Sequence, residues 1–155
     1  MSVVHKKLGR YHSKNVNYTF KDGNIVFVVM NGVKEIIPGP NGYFKDEELL
    51  WLDKTLTKYK NNKVVLLQHF PLIDSNRKGH NLYKKDEYMQ ILSKHDNVIA
   101  VISGHYHENM EEKEGDIYNI VTKNFSDNQY YKLITIDDET YEIYTHLIDT
   151  KDKFD

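Results

Sequence analysis

Three histidines occupy positions where a side chain can do chemistry. His69 follows the apolar run 64–67, and His105 and His107 follow the apolar run 98–102. Neutral imidazole is a ligand for Zn, Fe and similar borderline ions, whereas Mg prefers oxygen. A metal held this way, with an open position, lowers the pKa of a bound water to about 7 and makes it a hydrolytic nucleophile. A histidine beside a strand can equally be an ordinary surface or hydrogen-bonded residue, so the pattern matters more than the residue type. The chain has no cysteine, which excludes thiolate zinc sites, iron–sulfur clusters, disulfides and cysteine nucleophiles. Any metal must therefore be held by His, Asp, Glu, Asn or carbonyl oxygens.

The elements that would position these rings are legible in the hydrophobic pattern. Residues 18–20 and 24–30 read as two strands joined by a turn at Asp22-Gly23. The run 25–30 is continuously apolar and β-branched, as in a strand covered on both faces. A loop rich in Gly, Pro and Asn spans 31–44. The spacing of Leu49, Leu52, Leu56 and Tyr59 predicts a helix over 46–60, capped by Asp46, with Glu47 and Glu48 in its first turn. A second helix, 85–95, has Tyr88, Ile91 and Leu92 on its apolar face. Between these helices and after the second lie the buried strands 64–67 and 98–102.

His69 and His105 are 36 residues apart, with a loop, a helix and a strand between them. That is the length of a βαβ unit, which lays two strands side by side and parallel. Parallel strands end at the same edge, and open α/β sheets place ligands beyond those ends. The three imidazoles are thus expected to converge, with Gly104 providing the sharp turn. The other histidines, His5, His12, His80, His95 and His146, read as bystanders. His95 falls in the last turn of a helix and His146 on an exposed strand.

The remainder changes character. Residues 117–121, 130–136 and 140–147 alternate apolar and polar residues, with a turn at Asp137-Asp138, as in an antiparallel, half-exposed sheet. The expected fold is α/β passing into antiparallel β, in a single domain of 1–155 with an irregular lead-in over 1–17. A net charge of -2 offers no basic surface for nucleic acid and no polybasic arm for membranes. No apolar run approaches the roughly 20 residues of a bilayer span, and the start lacks the apolar stretch of a signal peptide. A cytoplasmic location is expected.

Gln68-His69-Phe70-Pro71 resembles the G-H-x-P-type motif of calcineurin-like metallophosphoesterases, and Ser103-Gly104-His105-Tyr106-His107 resembles their G-H-x-H motif. Tyr18-Thr19-Phe20 and Glu48-Leu49-Leu50-Trp51-Leu52 are similar to segments that accompany those motifs in the family. The resemblance covers residues 18–147 and corresponds to the C-terminal half of the family pattern. It implies a sandwich of two mixed sheets flanked by helices. It also implies a two-metal centre of Fe, Mn or Zn whose bridging hydroxide attacks phosphorus, hydrolysing phosphate mono- or diesters. On that pattern His69 and His105 ligate one ion and His107 the other.

The family's D-x-H and G-N-H motifs do not occur in the chain. The Gly115-Asp116 pair falls after the G-H-x-H motif and lacks the second Asp. Gly9-Arg10-Tyr11-His12 lies where G-N-H would fall but has no Asn, which leaves His12 as a minor candidate for a catalytic role. With half of the ligand set, the chain is expected to hold at most one divalent transition metal. Two functions follow. One is a metal-dependent phosphoesterase, or the C-terminal part of one; the other is a non-catalytic relative acting as a metal-binding or oligomerising module. The half-pattern also leaves apolar strand faces and edges to be covered, so a homo-oligomer, or pairing with a separate N-terminal half, is expected. Arg77 and Lys78 could meet a phosphate and Asn109 could support the histidines, but such residues are more often simply solvated.

Overall fold

The computed structural model describes residues 17–32, 40–74 and 82–151. Its frame is a six-stranded sheet of β1 (Tyr18–Asp22), β2 (Ile25–Met30), β4 (Lys63–Gln68), β6 (Val98–Ser103), β8 (Ile117–Val121) and β7 (Met110–Glu114), in the spatial order β1-β2-β4-β6-β8-β7. The four central strands run parallel, and β1 and β7 are antiparallel edges. The parallel pairing of β4 with β6 is the predicted βαβ unit. Its crossover contains α2 (Lys85–Leu92), and α1 (Asp46–Lys58) forms the preceding crossover between β2 and β4.

Both helices cover one face of the sheet. Leu49, Leu52 and Leu56 of α1 and Tyr88, Ile91 and Leu92 of α2 pack onto Val26, Val28, Val64, Leu66 and Val101. The sheet residues here have no solvent access to speak of, as the two-sided apolar strands require. The first helix starts at Asp46, where the sequence put it, but its cap differs. Lys45 is the N-cap, and the Glu48 carboxylate reaches back to accept its backbone N–H at 2.9 Å, so Asp46 is a first-turn residue and not the cap. Both helices end sooner than expected, at Lys58 and Leu92. The residues after each continue as turns, with Asn97 tying them together by donating to the Leu56 and Tyr59 carbonyls.

The opposite face carries the hairpin of β9 (Tyr130–Ile136) and β10 (Ile143–Asp149). Ile136, Tyr141 and Ile143 lie over Ile25, Val65 and Ala100, but Phe27, Leu67 and Ile102 remain only partly buried. A cleft of about 340 Å³ opens between sheet and hairpin, lined by Ile25, Phe27, Ile102, Ile134, Ile136 and Asp138. One face of the sheet is thus sealed by helices and the other half-covered by a two-stranded ribbon. Glu111 bolts this ribbon to the sheet: its carboxylate accepts from Lys132 at 2.5 Å, from Thr145 at 2.7 Å and from Tyr118.

Several elements correct the sequence reading. Strand β8 is the last parallel strand of the main sheet, not a member of an antiparallel sheet, and pairs with β7, a charged Met-Glu-Glu-Lys-Glu strand. Two-residue strands β3 (Gly42–Tyr43) and β5 (Leu82–Tyr83) pair in parallel inside segments read as loops. A short helix, α3 (Phe125–Asn128), precedes β9. The last hairpin turns at Asp137 as expected, with the Asp137 carboxylate accepting the N–H groups of Glu139 and Thr140.

Candidate metal centre at the strand ends

The ends of β4 and β6 are tied by backbone as well as by side chain. Beyond β4, the His69 carbonyl accepts the Gly104 N–H at 3.1 Å, so the two post-strand turns lie against one another. The rings follow. His105 Nδ1 and His69 Nε2 are 3.1 Å apart, one nitrogen donating to the other, and the ring centroids are 5.0 Å apart. His107 lies near enough for its charge to act on His69.

The turn itself differs from expectation. Gly104 does not take up a left-handed backbone, and a Cβ placed on it would meet only Thr122 Oγ1 at 3.9 Å. The sharp direction changes fall on the histidines, His105 at φ +69° and His107 at φ +58°. Such angles are uncommon for a residue with a Cβ, and sites that keep them are frequently functional. Between them, Tyr106 is buried and its hydroxyl donates to the Ile73 carbonyl at 3.2 Å, anchoring the turn to the loop that follows His69.

Phe70 forms the inner wall. Its ring centroid is 4.9 Å from that of His69 and 4.5 Å from that of His105. The same ring rests on Gly42, where an added Cβ would come within 2.4 Å of ring carbon. Only glycine permits this approach, so β3, invisible in the sequence pattern, backs the histidine pair. Gly42 in a Gly-Pro-Asn-rich loop carried no signal beyond that of a turn. His69 is solvent-accessible, yet packing against Phe70 and His105 strips enough water to lower its pKa, and the charge of His107 lowers it further. A ring kept neutral is a ring able to donate an electron pair.

The nitrogen spacing suits metal ligation in part. Two donors about 2.1 Å from one ion and 3.1 Å from each other subtend roughly 95°, between the octahedral and tetrahedral angles. Among the described residues, however, no group of three His, Asp or Glu side chains stands close enough to hold an ion. His69 and His105 are thus a fitted pair of imidazole donors, and a closed ligand set is not assembled around them.

The remaining sequence candidates fall elsewhere. His95 Nε2 lies 2.8 Å from Asp53 Oδ1 and joins α1 to the turn after α2. His146 is exposed on β10, opposite Leu133. Asn109 is exposed just before β7. His5, His12, Arg77, Lys78 and His80 lie outside the described residues.

The chain has relatives among known proteins. The sequence profile of the calcineurin-like phosphoesterases matches residues 5–109, more than half of the chain. The chain belongs to the calcineurin-like phosphoesterase family. Within it, a probable cyclic nucleotide phosphodiesterase of Colwellia psychrerythraea is 28% identical over 110 residues, covering 68% of this chain and 40% of that protein. A second probable cyclic nucleotide phosphodiesterase, from Moraxella catarrhalis, is 32% identical over 69 residues, 43% of this chain and 25% of its own length. The fold is similar to that of a dimetal phosphatase from Danio rerio, at TM-score 0.58 and 18% identity, over 70% of this chain and 49% of that one. The chain thus spans less than half the length of these relatives. The family implies a divalent metal cofactor and phosphate-ester substrates. No helix among the described residues is long and apolar enough to cross a membrane.

Proposed function

We propose that this chain supplies the C-terminal part of a metal-dependent phosphodiesterase centre, with His69, His105 and His107 as its metal ligands. The observation that carries the reading is the ring-to-ring contact of His69 and His105 at the ends of two parallel strands. Two neutral imidazoles favour Zn, Mn or Fe over Mg. When bound, such an ion supplies an activated water and Lewis acidity toward phosphoryl oxygens. The chain's own residues perform the preparatory work. Phe70 packs against both rings of the pair, burial and the charge of His107 lower the pKa of His69, and Tyr106 and Gly42 fix the turns. Diester chemistry is favoured over monoester chemistry because both curated relatives described above are named as probable cyclic nucleotide phosphodiesterases.

The want of a third donor among the described residues and the half-covered face support one account of the partner. A complementary segment of the same family pattern, or a second copy of the chain, covers Phe27, Leu67 and Ile102 beside the hairpin and completes the ligand set at the strand ends. Phosphodiester hydrolysis is tested with bis-p-nitrophenyl phosphate and added Mn(II) or Zn(II). Turnover above that of His105→Ala supports a centre active in this chain, and light scattering reports the association. No turnover above the His105→Ala variant favours the second reading, a metal-binding or oligomerising module. The absence of a three-donor group among the described residues is the specific observation behind that alternative.

A further inference from the structure

Gln68 and Tyr88 form a buried hydrogen-bonded chain that ends on the backbone beside His69. The Tyr88 hydroxyl, on α2 and wholly buried, donates to Gln68 Oε1 at 2.6 Å. The other end of the same amide, Gln68 Nε2, donates to the Phe70 carbonyl at 2.5 Å. His69 is the residue between Gln68 and Phe70. The side chain of Gln68 therefore closes a loop across the backbone of His69 and fixes its dihedral angles, as short side-chain-to-backbone bonds two residues apart do. An amide can point either way, and only one way places its N–H groups toward Phe70. The Phe70 carbonyl, which can only accept, sets that choice, and the Tyr88 hydroxyl, able to donate or accept, holds it by donating to the amide oxygen.

We infer that Tyr88, acting through Gln68, is a positioning residue for His69. The inference deepens the metal-centre reading above and rests on it for its functional meaning. Core packing alone does not account for the hydroxyl. The Tyr88 ring stacks on Phe44 with centroids 5.2 Å apart, and phenylalanine would fill that place as well. Burying a phenol without need is costly, and the Tyr88 hydroxyl is used on the Gln68 amide oxygen, whose nitrogen end bonds the Phe70 carbonyl next to His69. The relay also links helix to site: a shift of α2 reaches His69 through two hydrogen bonds. Outer partners of metal ligands act in this manner, and losing one commonly weakens metal binding by about 10–100-fold.

The test uses Tyr88→Phe, Gln68→Met and the double variant in the full chain. The first readout is metal-free: the through-space contact between the His69 and His105 rings, followed by imidazole nitrogen NMR. The relay predicts that both single variants lose that contact while retaining the far-ultraviolet dichroism of the fold. It also predicts that the double variant is no worse than Gln68→Met, since the hydroxyl acts only through the amide. A purely structural tyrosine would lower stability and leave the ring contact in place, and that result overturns the inference. Where Tyr88→Phe does not fold, Gln68→Met, which keeps the buried ring, decides the matter by the same contact. The second readout is Co(II) affinity by visible absorption, expected to weaken about tenfold in each variant. A wild-type chain that takes up no Co(II) defeats the metal-centre reading, while the metal-free ring contact still judges the relay.

Discussion

Replacing His107 or His105 by glycine should leave the metal-free chain more stable than replacing it by alanine. At an ordinary position the order is reversed, because glycine has more unfolded-state freedom to lose, at a cost of about 0.4–1 kcal/mol relative to alanine. Here the backbone sits at φ +58° and +69°, where a Cβ crowds the following carbonyl and costs about 1–2 kcal/mol. Alanine keeps that strain and glycine removes it. The difference leaves glycine ahead by about 0.5–1 kcal/mol at each site, or about 2 °C in Tm for a domain of this size. Asparagine, which tolerates the left-handed region, should fall between them. His107 is the cleaner site, since its side chain is exposed. Urea unfolding in the presence of a chelator measures the series. A result with alanine equal to or above glycine at both positions would refute the claim that the two histidines carry the turn under strain.

Four further outcomes follow from the same structure. Gly104→Ala should be tolerated within about 0.5 kcal/mol, because its Cβ meets only Thr122, whereas Gly42→Ala drives a methyl into Phe70 and should cost about 1–3 kcal/mol and disturb the His69 and His105 resonances. Tyr106→Phe leaves the Ile73 carbonyl without its hydroxyl donor and should cost about 1–2 kcal/mol in urea unfolding. Truncating the fully buried Leu66 to alanine should cost about 2–5 kcal/mol by the same measurement. The Glu111 carboxyl is raised by its partial burial but lowered more by bonds from Lys132, Tyr118 and Thr145, to about 2 against an ordinary 4.5. Its folded pKa is depressed, so its contribution is complete above about pH 4.5 and fades as pH falls toward 2. Acid titration of stability should show that loss, and Glu111→Gln should flatten it.

What the sequence revealed follows the strength of its physical signals. Strands β2, β4 and β6 are short apolar runs bounded by turn residues, and a strand buried on both faces has no other composition available. From their order and the 36-residue spacing of His69 and His105 the convergence of the rings follows by topology alone. Strand β7 escaped because its charged residues are an edge strand's protection and give no alternating apolar signal. Strands β3 and β5 are two residues each, too short for any period, and their contribution is made by contact: Gly42 against Phe70. The turn geometry was legible only in the wrong place. Glycine is the usual bearer of left-handed backbone, so Gly104 drew the expectation, but the histidines beside it take the strain. The Tyr88–Gln68 chain was hidden because Tyr88 satisfies the helical apolar pattern, which says nothing of where a hydroxyl points.

His69 and His105 are expected to share a cation at the ends of β4 and β6. Anomalous diffraction from crystals equilibrated with Zn(II) or Mn(II) measures this directly. The expected result is a metal peak bonded to His69 Nε2 and His105 Nδ1 at about 2.1 Å from each. Rings in contact with no metal between them at saturating ion, or a peak bound only to other side chains, would contradict it.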